Sequence, residues 1–437
     1  MMKWFLLAAG MGFFPAVAAQ TSITVATVNN PDMVTMEKMT AQFEREHPDI
    51  AVNFVSLPEN ELRQKITTDI ASGAGQYDVI TVSNYETPIW AGNGWLRPMD
   101  QGLPAGYDLD DLLPTVRQGL SYRGRLYALP FYGESSMTYY RKDLFAEAGL
   151  SMPDAPTWTQ ILGFAKKLDD RAHNRYGICL RGMPGWGENM AVFSTMVNAY
   201  GGRWFDMHWK PQLTSAPWKR AARTYQTLLQ RYGPPGATSN GFTESETLFA
   251  SGRCAMWVDA TVAAGYVSDP ATSKVAASVG FAQAPHEATA RGSHWLYAWA
   301  LAVPKSSRHP VAARTFVDWA TSKGYIQAVG QARGWVAVPP GTRRSTYENR
   351  QYLQVAPFAG LVEQAIASAD PAHPSARPVP YVGIQMVSIP EFQAIGTRTG
   401  QALAGILAGQ YPIGKGLRRV QRFTNRLMIQ SGRQKKK

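Results

Sequence analysis

Two cysteines in 437 residues, Cys179 and Cys254, exclude a thiolate zinc centre, which needs closely spaced ligand pairs. The seven histidines are scattered. There is no His-x-His and no His-Glu-x-x-His, so a histidine metal site has no footing. No Gly-x-Ser-x-Gly nucleophile elbow exists. Gly73-Ala74-Gly75 lacks the third glycine of a dinucleotide loop and follows a helical pattern, so it reads as a helix C-cap. Gly409 to Lys415 has the glycine and lysine spacing of a phosphate loop. However, Gly416 stands where Ser or Thr would hold magnesium, and no strand pattern precedes it. Beyond the N-terminal segment no apolar run reaches the about 20 residues of a membrane span. Internal repeats are absent. Charged residues make up only 17% and hydrophobic residues 45%, the balance of a globular chain with a large core. The length suggests two or three domains.

The first segment stands apart from the fold. Lys3 gives a positive start, Trp4 to Val17 are mostly apolar, and Ala16-Val17-Ala18-Ala19 is a small-residue cleavage site. Residues 1–19 therefore read as a secretory signal peptide. No Cys follows for lipid attachment, and the mature chain is expected to be soluble and exported. In an exported chain Cys179 and Cys254 either form one bridge or stay as two buried thiols. The two strings that carry them also carry Arg181 and Trp257, so the pair is expected to lie close together.

Net charge is +12, and the excess is concentrated at the end. From Lys415 onward there are bases and no acid. The default reading is a solvated helix with a basic tail; the sharper one is contact with an anionic membrane surface or an acidic partner. The rest of the chain is near charge balance, so nucleic-acid binding is not expected.

What the chain does have is thirteen tryptophans, many beside acids, amides or glycines. Trp186-Gly187-Glu188-Asn189, Trp204-Phe205-Asp206, Trp257-Val258-Asp259 and Gly334-Trp335 are the clearest. An indole next to a carboxylate offers a flat apolar face and a fixed acceptor together. Carbohydrates and polyols need both, since C–H faces lie on the ring and hydroxyls donate to the acid. The pattern alone does not separate binding from catalysis. Glu134, Glu188, Asp206 and Asp259 lie near aromatics and could form a glycosidase pair, or could bind hydroxyls with Arg181 orienting them.

Residues 22–83 alternate strand and helix. Ser22 to Val28 is β-branched and apolar; Met33, Met36, Met39 and Phe43 recur at helical spacing; Ile50 to Val55 returns to strand. Leu62, Ile66 and Ile70 mark a second helical face, and Asp78 to Val82 a buried strand. This βαβαβ order predicts a parallel sheet with a site at the strand carboxyl ends. Asn29-Asn30 and Ser83-Asn84-Tyr85-Glu86 lie there. A second α/β region follows. Thr157 with Gln160, and Thr243 with Glu246, are expected capping boxes. Ser215-Ala216-Pro217 opens another helix, and 371–380 is a Pro-rich connection.

Several strings carry a family resemblance. Pro48-Asp49-Ile50, Tyr77-Asp78-Val79, Gly124-Arg125-Leu126-Tyr127-Ala128-Leu129-Pro130 and Pro156-Thr157-Trp158 resemble extracellular solute-binding proteins of ABC importers, in the maltose-binding-like family. Ala26-Thr27-Val28-Asn29-Asn30, Asn84-Tyr85-Glu86-Thr87-Pro88-Ile89-Trp90, Pro130-Phe131-Tyr132-Gly133-Glu134-Ser135-Ser136, Trp186-Gly187-Glu188-Asn189-Met190 and Pro380-Tyr381-Val382-Gly383-Ile384-Gln385 resemble its sorbitol/mannitol (polyol) group. The resemblance runs from about Ser22 to Met428. It implies an α/β, two-lobed periplasmic-binding-protein fold with a cleft and hinge crossovers. Lobe one would be 20–132 plus 300–350, and lobe two 133–299 plus 351–437, ending in the basic tail. It also implies a monomer that captures a linear polyol in the periplasm, delivers it to membrane permease subunits, and needs no cofactor or metal.

On that basis Asn30, Asn84 and Tyr85 would supply amide and phenol contacts. Glu134, Glu188 and Asp259 would accept hydroxyl protons, and Arg181 would donate. Trp186, Trp257, Trp299 and Trp335 would pack on the carbon chain, with Tyr381 and Gln385 contributing from lobe two. Trp90, Trp158 and Trp319 sit on helical faces and read as core. The alternatives are a periplasmic carbohydrate hydrolase with paired carboxylates and a sensor-type sugar receptor.

Overall fold

A computed structural model describes residues 20–434. The signal-peptide segment 1–19 and Lys435, Lys436 and Lys437 of the tail lie outside the described residues. Ten strands follow in chain order. They are β1 Thr21–Val28, β2 Ile50–Leu57, β3 Val79–Ser83, β4 Ser121–Tyr122, β5 Arg125–Leu126, β6 Leu129–Glu134, β7 Ser136–Arg141, β8 Met256–Ala260, β9 Val279–Gln283 and β10 Tyr297–Ala302.

The first sheet has the order β2-β1-β3-β10-β6. β1 runs parallel to β2, with Thr21 opposite Ile50, and parallel to β3. β10 is antiparallel to both β3 and β6. The all-parallel sheet expected from the βαβαβ order therefore holds only for its first three strands. β10 breaks it because it returns from the second sheet and enters at the strand carboxyl ends, with Trp299 opposite Ser83. The second sheet, β8-β7-β9, is antiparallel.

A single residue, Ser135, separates β6 in one sheet from β7 in the other. Gly133 and Glu134, and residues 297–299, belong to strands of the first sheet. The chain thus passes from the first sheet to the second at Ser135 and rejoins the first at Tyr297. Gly133 has no room for a side chain. A Cβ there would lie 2.2 Å from the Gly341 carbonyl, and one at Gly341 would lie 2.0 Å from that of Gly133. The two backbones meet where the chain leaves the first sheet.

The helical faces follow the hydrophobic period. Helix Pro31–Glu46 buries Met33, Met36, Met39 and Phe43, and helix Glu59–Ser72 buries Leu62, Ile66 and Ile70. Thr157 and Gln160 form the expected capping box on helix Trp158–Leu168. The second box is displaced. Helix Phe242–Ala250 is capped at Gly241, two residues before the expected cap, and Glu244, not Glu246, accepts from the Gly241 N–H (2.9 Å). Glu246 instead lies buried. Trp90 and Trp158 are core, and Trp319 packs partly buried against Phe43 and Phe316. Cys179 and Cys254 form a disulfide with Cα atoms 5.8 Å apart, inside the limit of about 7 Å for bridging.

Candidate functional site

The carboxyl ends of β1 and β6 and the entry of β10 face residues from between the two crossovers, joined by Gln385 from the later chain. Between them lies a narrow cavity. Asn30, Glu134, Arg181, Trp186, Trp299 and Gln385 line it, joined by Glu59, Gly187, Phe242, Trp295 and Tyr297.

The wall from the first sheet is built around Arg63. Its guanidinium donates to Glu59 (3.0 Å), to Glu86 (2.5 Å) and to the Tyr297 hydroxyl. It also lies 4.1 Å from the Trp186 ring and 4.9 Å from the Trp299 ring. Stacked on two indoles and paired with two acids, it fixes both rings as platforms. Asn30 caps the end of β1 and donates to the Tyr132 hydroxyl (2.9 Å).

On the other side Arg181 is fixed in turn. Asp259 accepts from its Nε (3.0 Å) and Nη2 (2.5 Å), and the Gly187 carbonyl accepts from Nη1 (2.9 Å). Burial alone would lower the Arg181 pKa, but Asp259 at contact raises it above its ordinary value. Three of five N–H donors are thereby used, and two remain.

Three groups in this cavity lack partners among the described residues. Trp295 Nε1 and Gln385 Oε1 are buried with no hydrogen bond, although Gln385 Nε2 donates to the Leu296 carbonyl (2.9 Å). The Glu134 carboxyl takes no hydrogen bond from the described residues. Burial pushes it up to about 8, against the pull of Arg181, so at neutral pH it is largely a neutral acid that both donates and accepts. A buried donor, a buried acceptor and a neutral carboxyl, framed by indoles, match hydroxyl groups, which donate and accept at one atom.

Seven residues expected at the site do not line the cavity. Asp259 is fully buried, and its oxygens serve Arg181, Trp257 Nε1 (3.1 Å) and the Ala260 N–H (2.7 Å). It orients Arg181 and has no free face for a hydroxyl. Trp257 stacks on Tyr139 (4.9 Å) beneath that pair. Glu188 accepts from the Phe242 N–H (3.2 Å) and lies 3.8 Å from Arg181. Burial, with Glu59 nearby, pushes it up to about 8. Asn84 pins the entry of β10 through Ala298 N–H (3.0 Å) and the Leu296 carbonyl (3.3 Å). Tyr85 backs Trp186 (4.8 Å) and donates to the Ile389 carbonyl (2.9 Å). Tyr381 accepts from the Trp204 N–H (3.0 Å). Trp335 packs over Gly330, where a Cβ would lie 2.8 Å from its ring.

Five residues were missed: Glu59, Arg63, Phe242, Trp295 and Tyr297. Two signals could have found most of them. Glu59 and Arg63 are four apart on the same helical face as Leu62, Ile66 and Ile70, an ion pair placed where apolar residues belong. Trp295, Tyr297 and Trp299 alternate on entry to β10, the spacing of one strand face, and all three line the cavity.

Comparison with known proteins bears on family and fold. The description "bacterial extracellular solute-binding protein" matches residues 27–327. The mannitol-binding protein of Pseudomonas aeruginosa is 54% identical over 417 residues, 95% of each chain. An ABC transporter solute-binding protein from Agrobacterium vitis S4, solved with bound D-mannitol, superposes with a TM-score of 0.93 at 52% identity. It covers 94% of this chain and 99% of that one. One from Agrobacterium radiobacter K84, in complex with ribitol, gives 0.83 at 26% identity with the same coverage. The fold is thus the two-lobed α/β fold of those proteins, and the chain belongs to the bacterial extracellular solute-binding protein family.

Proposed function

We propose that the protein captures a linear polyol of the mannitol and sorbitol type between its lobes and hands it to the permease of an ABC importer. It would work in the periplasm, as a monomer, with no turnover of its ligand. The lobes would divide at Ser135, between Gln283 and Tyr297, and near Asn349. Trp295 Nε1, Gln385 Oε1 and Glu134 would pair with ligand hydroxyls, with Asn30 and the free Arg181 donors beside them. Trp186, Trp299 and Tyr297 would cover the C–H edges of the carbon chain. Asn84, Tyr85, Glu188, Trp257 and Asp259 would hold these groups in place.

The observation that carries this reading is the unpaired donor and acceptor buried together in one indole-lined cavity. A buried polar atom without a partner costs about 1–3 kcal/mol, and a polyol has a hydroxyl on every carbon to supply the partners. The similarity to proteins that bind mannitol and ribitol supports the same ligand class. A hydrolase is disfavoured because Asp259 and Glu188 are each committed to protein donors. A thermal-shift screen of polyols and sugars tests the proposal. A ligand at 100 times its dissociation constant adds about 2.7 kcal/mol. Mannitol or sorbitol should raise the melting temperature where glucose and maltose do not, and a response to maltose alone would refute the polyol assignment.

A further inference from the structure

Helix Ile413–Gln430 turns Leu417, Val420, Thr424 and Met428 inward and exposes Lys415, Arg418, Arg419, Arg422 and Arg426. At about 3.6 residues per turn the five bases form one stripe opposite the buried face. The stripe is about 17 Å long at about 1.5 Å per residue. None of the five makes an ion pair among the described residues. No acid occurs anywhere from Lys415 to the end of the chain.

The surroundings do not balance this charge. The helix packs on helices Ala216–Thr227 and Phe392–Leu407, and neither contains an acid. The first adds exposed Lys219 and Arg223. Lys415 with Arg419, Arg418 with Arg422, and Arg422 with Arg426 are like-charge pairs four apart, which repel on a helix. An ordinary soluble surface intersperses both signs. The stripe therefore weakens its own helix, and no neighbouring group offsets it.

The chemistry of the face selects the partner. A protein interface has an apolar centre, but the large exposed hydrophobics, such as Met207 and Val382, all lie outside this helix. Four of the five bases are arginines, whose fork matches phosphate oxygens bidentately. Clusters of four to eight bases are the signature of anionic-lipid contact. We propose that this face rests on an anionic phospholipid surface and keeps the exported protein close to the membrane. The helix supplies no residue to the ligand cavity, so lipid contact is separable from polyol capture and does not depend on it.

The test is sedimentation of the purified exported protein with vesicles. One set is phosphatidylcholine alone, and the other is phosphatidylcholine mixed with phosphatidylglycerol. Binding should be about tenfold or more stronger on the anionic vesicles and should collapse at high salt. The triple variant Arg418→Gln, Arg422→Gln, Arg426→Gln should lose most of it while its melting temperature holds or rises, since like-charge pairs are removed. If the triple variant fails to fold, the salt response and lipid selectivity of the unmodified protein decide. Equal sedimentation with both vesicle types would overturn the proposal, as would a folded triple variant that still binds. Membrane binding that requires the permease and ignores lipid charge would overturn it too, in favour of an acidic protein partner.

Discussion

Replacing Glu134 separates two roles that its position gives it. In the folded chain burial pushes its carboxyl from 4.5 up to about 8. The folded state therefore holds a proton that the unfolded chain releases between those values. The linked stability is fully present below pH 4.5, declines as pH rises, and is gone above about pH 8. At about 1.4 kcal/mol per unit over the span from 4.5 to 7, the loss by pH 7 is on the order of 3 kcal/mol. Glu134→Gln stays neutral throughout. Thermal unfolding of the unliganded protein at pH 5 and pH 8 should show a smaller drop for the variant than for the parent. The drop should not vanish, because Glu188 titrates in the same direction. Polyol affinity should change little in Glu134→Gln, since the amide still donates and accepts. Glu134→Ala leaves a ligand hydroxyl unpaired, at about 1–3 kcal/mol, which is about 5- to 150-fold in Kd. An identical pH response in parent and Gln variant would refute the argument from burial. An Ala variant with parental affinity would remove Glu134 from the ligand.

Further outcomes follow from the same geometry. Trp295→Phe deletes an N–H that has no protein partner, so calorimetry should show mannitol affinity falling by about 2- to 10-fold; unchanged affinity would place the ligand elsewhere. Asp259→Asn breaks the buried pair with Arg181, and denaturant unfolding should record a loss of about 3–5 kcal/mol. Trp335→Ala should leave polyol affinity intact, because that indole packs over Gly330 and not in the cavity. Reducing the Cys179–Cys254 bridge should cost about 2–4 kcal/mol, read as a lower denaturation midpoint with polyol binding retained below it.

Much of the framework was legible because it repeats a local period. The methionines of helix Pro31–Glu46 and the apolar run of β3 announce their burial directly. The box at Thr157 is complete in four residues. The box at Thr243 misled because two glutamates, Glu244 and Glu246, fit the pattern, and the core claimed the second. The antiparallel entry of β10 was not legible, since strand direction depends on a connection through the other sheet. Of the strings with a tryptophan beside an acid, the one at Trp186 reaches the cavity. Six of the thirteen expected site residues line the cavity. The Trp-x-Asp string at 257 does not line it: alternation on β8 turns Trp257 and Asp259 to the same side, where Asp259 accepts from both Trp257 Nε1 and Arg181. The only local sign of Arg63 was its pairing with Glu59 on an apolar helical face; its other partners, Glu86 and Tyr297, come from distant parts of the chain.

A crystal structure with D-mannitol tests the central claim most directly. The account predicts one mannitol in the cavity between the sheets. Its hydroxyls should lie within hydrogen-bond distance of Trp295 Nε1, Gln385 Oε1 and the Glu134 carboxyl, with Trp186 and Trp299 against its carbons. Mannitol bound elsewhere, with Trp295 Nε1 and Gln385 Oε1 still unpaired, would contradict it.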